Sequence, residues 1–296
     1  VSTDTPATAA QRRQTRTEVV DGAQLGPVTQ RPPLGEYVAR LWDRRHFIWA
    51  DARAKVVAGS RGKLLGTSWL VLRPVMDASV YLVIFGLLLR SDRGVENFLG
   101  YLVIGTFMFQ FTVRCLSAGA RSLIAGKALM KAFSFPRAAL PVAVVVREAL
   151  SYLPVLASML VVLFLLPEPP VLSWRWALVP LVIALQVVMG LGLALLVARP
   201  TARVPDLQHL IGLFSRFWLY GSAVFFSYER FIEHPTLLEA VQLNPMFRVL
   251  EITRDCLLYG VTPGAEAWLI LVGWTAALAG VGLLVFWRGE ERYGAL

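Results

Sequence analysis

Six stretches of this chain are each apolar for about the length that crosses a lipid bilayer, and nothing in the sequence constrains its fold more. They cover residues 70–89, 98–116, 139–166, 174–197, 207–226 and 267–287. A hydrocarbon core about 30 Å thick takes about 20 apolar residues of helix. In lipid, every backbone polar group must find its partner within the protein. The expected fold is therefore an all-α polytopic membrane protein with six transmembrane helices. Composition agrees. Of the 296 residues, 56% are hydrophobic and 17% charged, against about 45–50% and about 25% in soluble domains.

The net charge of +9 raises nucleic acid as a partner, but the placement of the basic residues argues for a membrane. Lys and Arg concentrate in cytoplasmic loops. Arg40, Arg44, Arg45, Arg53, Lys55, Arg61 and Lys63 precede the first span. Arg121, Lys127, Lys131 and Arg137 follow the second, and Arg199 and Arg203 the fourth. Residues 227–266 carry three Arg against six acids. Both termini are then expected in the cytoplasm, with no nucleic acid as partner. Residues 1–33 are polar, without the apolar core of a signal peptide, and read as a disordered cytoplasmic tail. Residues 34–69 form an interface region, and 70–296 the membrane domain. Cys115 and Cys256 fall on opposite sides, so no disulfide between them is expected.

Two segments are amphipathic but too charged to span. In 34–56, Tyr37, Val38, Leu41 and Ile48 fall toward one helical face, with Trp42, His46 and Trp49 beside it. Such a basic, Trp-rich helix lies on the cytoplasmic leaflet. It serves either as an anchor or to collect an anionic lipid head group. The second is "LNPMFRVLEITRDCLLYGVTP", 243–263. Read as a helix from Met246 to Tyr259, it puts Met246, Val249, Leu250, Thr253 and Leu257 on one face. Arg248, Glu251, Arg254 and Asp255 fall on or near the other. With the apolar patch at 237–243 it forms an outer pair of short helices before the sixth span. The pair is either re-entrant at a pore exit or a hairpin on the surface.

Enzyme and nucleotide signals are weak. "AGSRGKL" at 58–64 lacks the Gly and the Ser or Thr of a phosphate loop, having Val57 and Leu64 there. No metalloprotease, nucleophile-elbow or Cys/His cluster pattern is present, and no metal site is expected. Arg73 and Asp77 are spaced to pair along one helix. Arg147 and Glu148 lie mid-span, where charges face a bundle interior or a water-filled path. Arg216 can meet a phosphate or sugar in a channel, or pair with an acid of another helix. Phe107, Phe109 and Phe111 in the second span, and Phe214, Phe217, Trp218 and Tyr220 in the fifth, either line a channel or contact lipid and core.

Three stretches in order, "LLGTSWLVLRP" (64–74), "KALMKAFSFPRAALP" (127–141) and 243–263, resemble the permease subunit of ABC type 2 exporters of lipid-linked polysaccharides. Among these, the chain looks most like actinobacterial permeases that export cell-wall galactan. The resemblance implies a homodimer in the bacterial plasma membrane, working with a cytoplasmic ABC ATPase that holds the ATP and Mg. This chain would bind no cofactor and catalyse nothing. It implies a coupling helix at about 122–131, with Leu123, Lys127, Ala128, Leu129 and Lys131, docking on the ATPase. It implies capture of a polyprenyl diphosphate by Arg44, Arg45 or Arg53. A channel would be lined by Phe107, Phe214, Arg216, Phe217, Trp218 and Tyr220. The outer gate would comprise Asn244, Pro245, Arg248, Glu251, Arg254 and Asp255. The alternatives are a small lipid or drug as cargo, or a polyprenyl-linked membrane glycosyltransferase with Asp255 and Glu251 as its acids.

Overall fold

The computed structural model describes residues 32–60, 97–132, 135–226 and 235–290, with isolated positions between 68 and 83. The tail at 1–31 and most of the expected first span, including Arg73 and Asp77, lie outside the described residues. What is described is helical. Two helices, α1 (Leu34–Asp43) and α2 (Arg45–Ser60), precede α3 (Phe98–Ala125), the short α4 (Lys127–Ala132) and α5 (Ala139–Leu165). A 3-10 turn at Trp174–Leu178 leads into α6 (Val179–Arg203). Then come α7 (Leu207–Gly221), α8 (Pro235–Gln242), α9 (Pro245–Arg254), a π turn at Asp255–Tyr259, and α10 (Ala265–Arg288).

Among the described residues, four helices are long and apolar enough to cross a membrane: Phe98–Ala125, Ala139–Leu165, Trp174–Arg203 and Ala265–Arg288. The stretch expected as a fifth span is shorter. Helix α7 has 15 residues, a rise of about 22 Å, and its path ends at Ser222 and Ala223, where φ reaches +51°. The single interface helix expected before the first span is two helices, with Arg44 as the C-cap of α1.

Helix α3 is the centre of the bundle, buried along most of its length against α5, α6, α7 and α9. Small residues bring helices together, as is usual where lipid removes the hydrophobic drive to pair. Gly119 of α3 meets Ala194 of α6. Gly192 of α6 lies against the Leu278 backbone of α10, and a Cβ on Gly282 would stand 2.5 Å from the Gly192 carbonyl oxygen. A polar thread crosses the same core. Buried Gln186 donates to the Met108 carbonyl at 2.8 Å and to the Thr112 hydroxyl at 2.9 Å. Thr112 in turn donates to the Met246 sulfur at 3.2 Å. Amide and hydroxyl thus tie α6, α3 and α9 where no water competes.

Candidate functional site

The end of α7 is held open by a cap built from α3 and α9. Breaking a helix frees its last carbonyls, and buried carbonyls need partners. Tyr101 of α3 donates its hydroxyl to the Ala223 carbonyl at 2.7 Å and to the Phe226 carbonyl at 2.8 Å. Arg254, the last residue of α9, is 2% exposed. Its guanidinium donates to the Tyr101 carbonyl at 3.1 and 3.3 Å and to the Ala223 carbonyl at 3.3 Å. It also lies 3.3 Å from the centroid of the Tyr101 ring, an arrangement in which the ring face attracts the cation. Gly105 makes room for it, since a Cβ there would sit 2.6 Å from Arg254 Nη2.

Asn244 closes the cap from the other side. Its Oδ1 accepts from Met246 N at 3.0 Å, the N-cap bond of α9, and from Trp218 Nε1 at 3.0 Å. Its amide donates to the Gly221 carbonyl at 2.9 Å and the Ser222 hydroxyl at 3.0 Å. One side chain uses its full bonding capacity to join the end of α7 to the start of α9, with Pro245 at the first helical position. Asn244→Ala leaves these groups unpaired and is expected to lower stability by about 2 kcal/mol. Thermal unfolding in detergent checks this, with Asn244→Asp expected to fall between.

Arg248 and Arg254 were expected on the polar face of this helix, and both are buried, Arg248 at 5%. Their hydrogen bonds explain it: Arg248 donates to the Gln242 carbonyl at 2.7 Å, Glu251 at 2.9 Å and Glu266 at 3.0 Å. The face of Met246, Val249, Leu250, Thr253 and Leu257 is buried as the spacing implies. Asp255 begins the π turn. Burial, with Glu251 adding to it and Arg254 opposing, pushes its carboxyl up to about 6.

The aromatic residues divide. On α7, Phe214, Arg216, Phe217 and Tyr220 are exposed along one open face. Arg216 makes no ion pair among the described residues. Trp218 is half-buried, edge-on to Phe109 at 5.7 Å. Phe107 and Phe111 lie elsewhere: both are buried inside the bundle, Phe111 stacked on Tyr152 at 4.5 Å. Phe107 is core packing in this conformation rather than part of that open face.

At the other end of the bundle, Arg44, Arg45 and Arg53 are exposed on α1 and α2 beside exposed Trp42 and Trp49. Arg45 lies over the Trp42 ring at 5.5 Å. Ile48 and Ala52 seat α2 on α5 through Ala139 and Ala143. Helix α4 follows a break at Gly126, where an added Cβ would collide with Leu140. Lys127, Ala128 and Lys131 are exposed, Leu129 is half-buried and Leu123 is buried. Three groups were missed by sequence reasoning. Tyr37 donates to Glu290 at 2.9 Å, and Arg137 donates to the Glu290 carboxylate through its backbone N–H at 3.1 Å. Arg137 also donates through its guanidinium to the Glu290 carbonyl at 2.6 Å.

The comparisons with known proteins match 80–86% of the chain. It is 26% identical over 236 residues to the O-antigen export system permease protein RfbA of Klebsiella pneumoniae, covering 80% of this chain and 89% of that one. The chain resembles O-antigen export permeases. The RfbA permease of Myxococcus xanthus is 24% identical over 256 residues, 86% of this chain and 94% of the relative. No family model matches the chain.

Proposed function

We propose that this chain is the membrane subunit of an ATP-driven exporter of a lipid-linked polysaccharide. The observation that carries the reading is its similarity to O-antigen export permeases over 89–94% of their length. The helices support it. Exposed Arg44, Arg45 and Arg53 on a Trp-rich surface suit capture of a polyprenyl diphosphate at the inner leaflet of the bacterial plasma membrane. The open face of α7, with Phe214, Arg216, Phe217 and Tyr220 and with Trp218 at its edge, suits a polymer path, because aromatic rings stack on sugars without holding a charge. The capped break at Ser222–Phe226, with Asn244, Pro245, Arg248, Glu251, Arg254 and Asp255 around it, forms the exit. A second copy completes the channel. Galactan is the polymer that the sequence resemblance points to.

ATP and Mg belong to a separate ABC ATPase, which docks on α4 through Lys127, Ala128 and Lys131, backed by Leu123 and Leu129. Co-expression with that ATPase and purification in mild detergent tests the docking. Ala128→Asp is expected to reduce the co-purifying ATPase at least about tenfold. Undiminished ATPase recovery with Ala128→Asp and Lys131→Glu together contradicts the assignment of α4.

A further inference from the structure

Glu290 lies just past α10 and gathers three separate elements. Its carboxylate accepts from the Tyr37 hydroxyl of α1 at 2.9 Å and from the Arg137 backbone N–H at 3.1 Å. Its own carbonyl accepts from the Arg137 guanidinium at 2.6 Å. The Tyr37 hydroxyl also accepts from the Ala138 N–H at 3.3 Å, and Trp287 Nε1 donates to the Pro32 carbonyl at 2.9 Å. Beneath these bonds lies one apolar cluster. Tyr37, Leu123, Ala138 and Phe286 are buried in it, and Leu129 and Met130 of α4 pack on it. Burial pushes the Glu290 carboxyl up, and its bonds to Arg137 and Tyr37 pull the other way. A half-buried carboxyl held by donors from two other elements sits at a junction where separation of any one element strands a polar group.

We infer that Glu290 is a positioning residue that joins the ATPase-docking segment to the head-group-binding helix. A displacement of α4 and the Phe135–Arg137 turn passes through Glu290 to Tyr37, and so moves α1 and its capping Arg44, from which α2 with Arg45 and Arg53 continues. The inference rests on the exporter reading, because it needs an ATPase at α4 and a cargo at α1. It separates two roles. A merely structural clasp supports folding and assembly alone. A coupling junction sets how much export each ATP hydrolysed produces.

The test uses the full transporter, permease and ATPase together, in lipid vesicles. ATPase recovery, ATP hydrolysis and polysaccharide export are measured side by side. In Glu290→Ala and Tyr37→Phe, ATPase recovery and hydrolysis are expected within about twofold of the unsubstituted transporter. Export per ATP is expected to fall about tenfold, the scale of one lost hydrogen bond to a charged group. Glu290→Gln keeps one of the two acceptor oxygens and is expected to restore part of the ratio. An unchanged ratio in both variants overturns the inference. So does a loss of export in step with lost assembly. If the unsubstituted transporter shows no ATP-dependent export, the exporter reading itself fails, and the coupling inference with it.

Discussion

Arg254→Met is expected to destabilise the protein by about 3 kcal/mol, because it strips charged hydrogen bonds from the buried Tyr101 and Ala223 carbonyls, leaving Ala223 only the Tyr101 hydroxyl. Methionine fills much the same volume, so packing alone is nearly preserved. What is lost is the guanidinium that donates to the Tyr101 and Ala223 carbonyls and lies over the Tyr101 ring. The Ser222–Phe226 segment should then loosen while the four long helices stay together. Two measurements separate these effects. The thermal midpoint in detergent should drop. A Val224→Cys probe, buried in the parent, should react faster with a maleimide in the Arg254→Met background. Cys115 and Cys256 are themselves buried and should contribute little signal. Gly105→Ala intrudes on the same guanidinium and should shift both readouts in the same direction by less. A parent-like midpoint for Arg254→Met means that the guanidinium does not hold the break.

Gly192→Val is expected to abolish recovery of folded protein or to cost upward of about 3 kcal/mol. A Cβ on Gly192 collides with the Leu278 backbone, and Gly282 approaches the same glycine from α10. Backbone cannot move aside as a flexible side chain can, so α6 and α10 must separate. Gly280, on the same helix, has nothing within 4 Å of where a Cβ would go. Gly280→Ala should change stability by less than about 0.5 kcal/mol. Size-exclusion profiles of the two variants in one detergent make the comparison.

The long helices were legible because each is a long, predominantly apolar run, and a run of that length has few other solutions in water or lipid. The helix read from Met246 begins one residue earlier, at Pro245, where a capping side chain followed by proline at the first position is a local signal. Arg254 was not legible as buried. On a helical wheel its charge argues for the polar face, and only tertiary structure supplies the carbonyls and the aromatic ring that make burial tolerable. The early end of α7 has the same origin. No glycine or proline breaks the chain after Gly221, and the break is held by Tyr101, Asn244 and Arg254 from other helices. Glu290 carried no signal either, because acids set among arginines after a final span, here Glu290 and Glu291 between Arg288 and Arg292, read as solvated. Its role emerges only when α1 and the Arg137 turn fold onto it.

The proposed exporter carries a lipid-linked polysaccharide only when a separate ATPase hydrolyses ATP. The most direct measurement places permease and ATPase together in sealed vesicles loaded with a polyprenyl-diphosphate-linked polysaccharide. A lectin that cannot cross the membrane then detects polymer on the far side. Polymer is expected to emerge with ATP and Mg, and not with a non-hydrolysable analogue or when the ATPase is omitted. Equal emergence without ATP or without the ATPase would contradict the account.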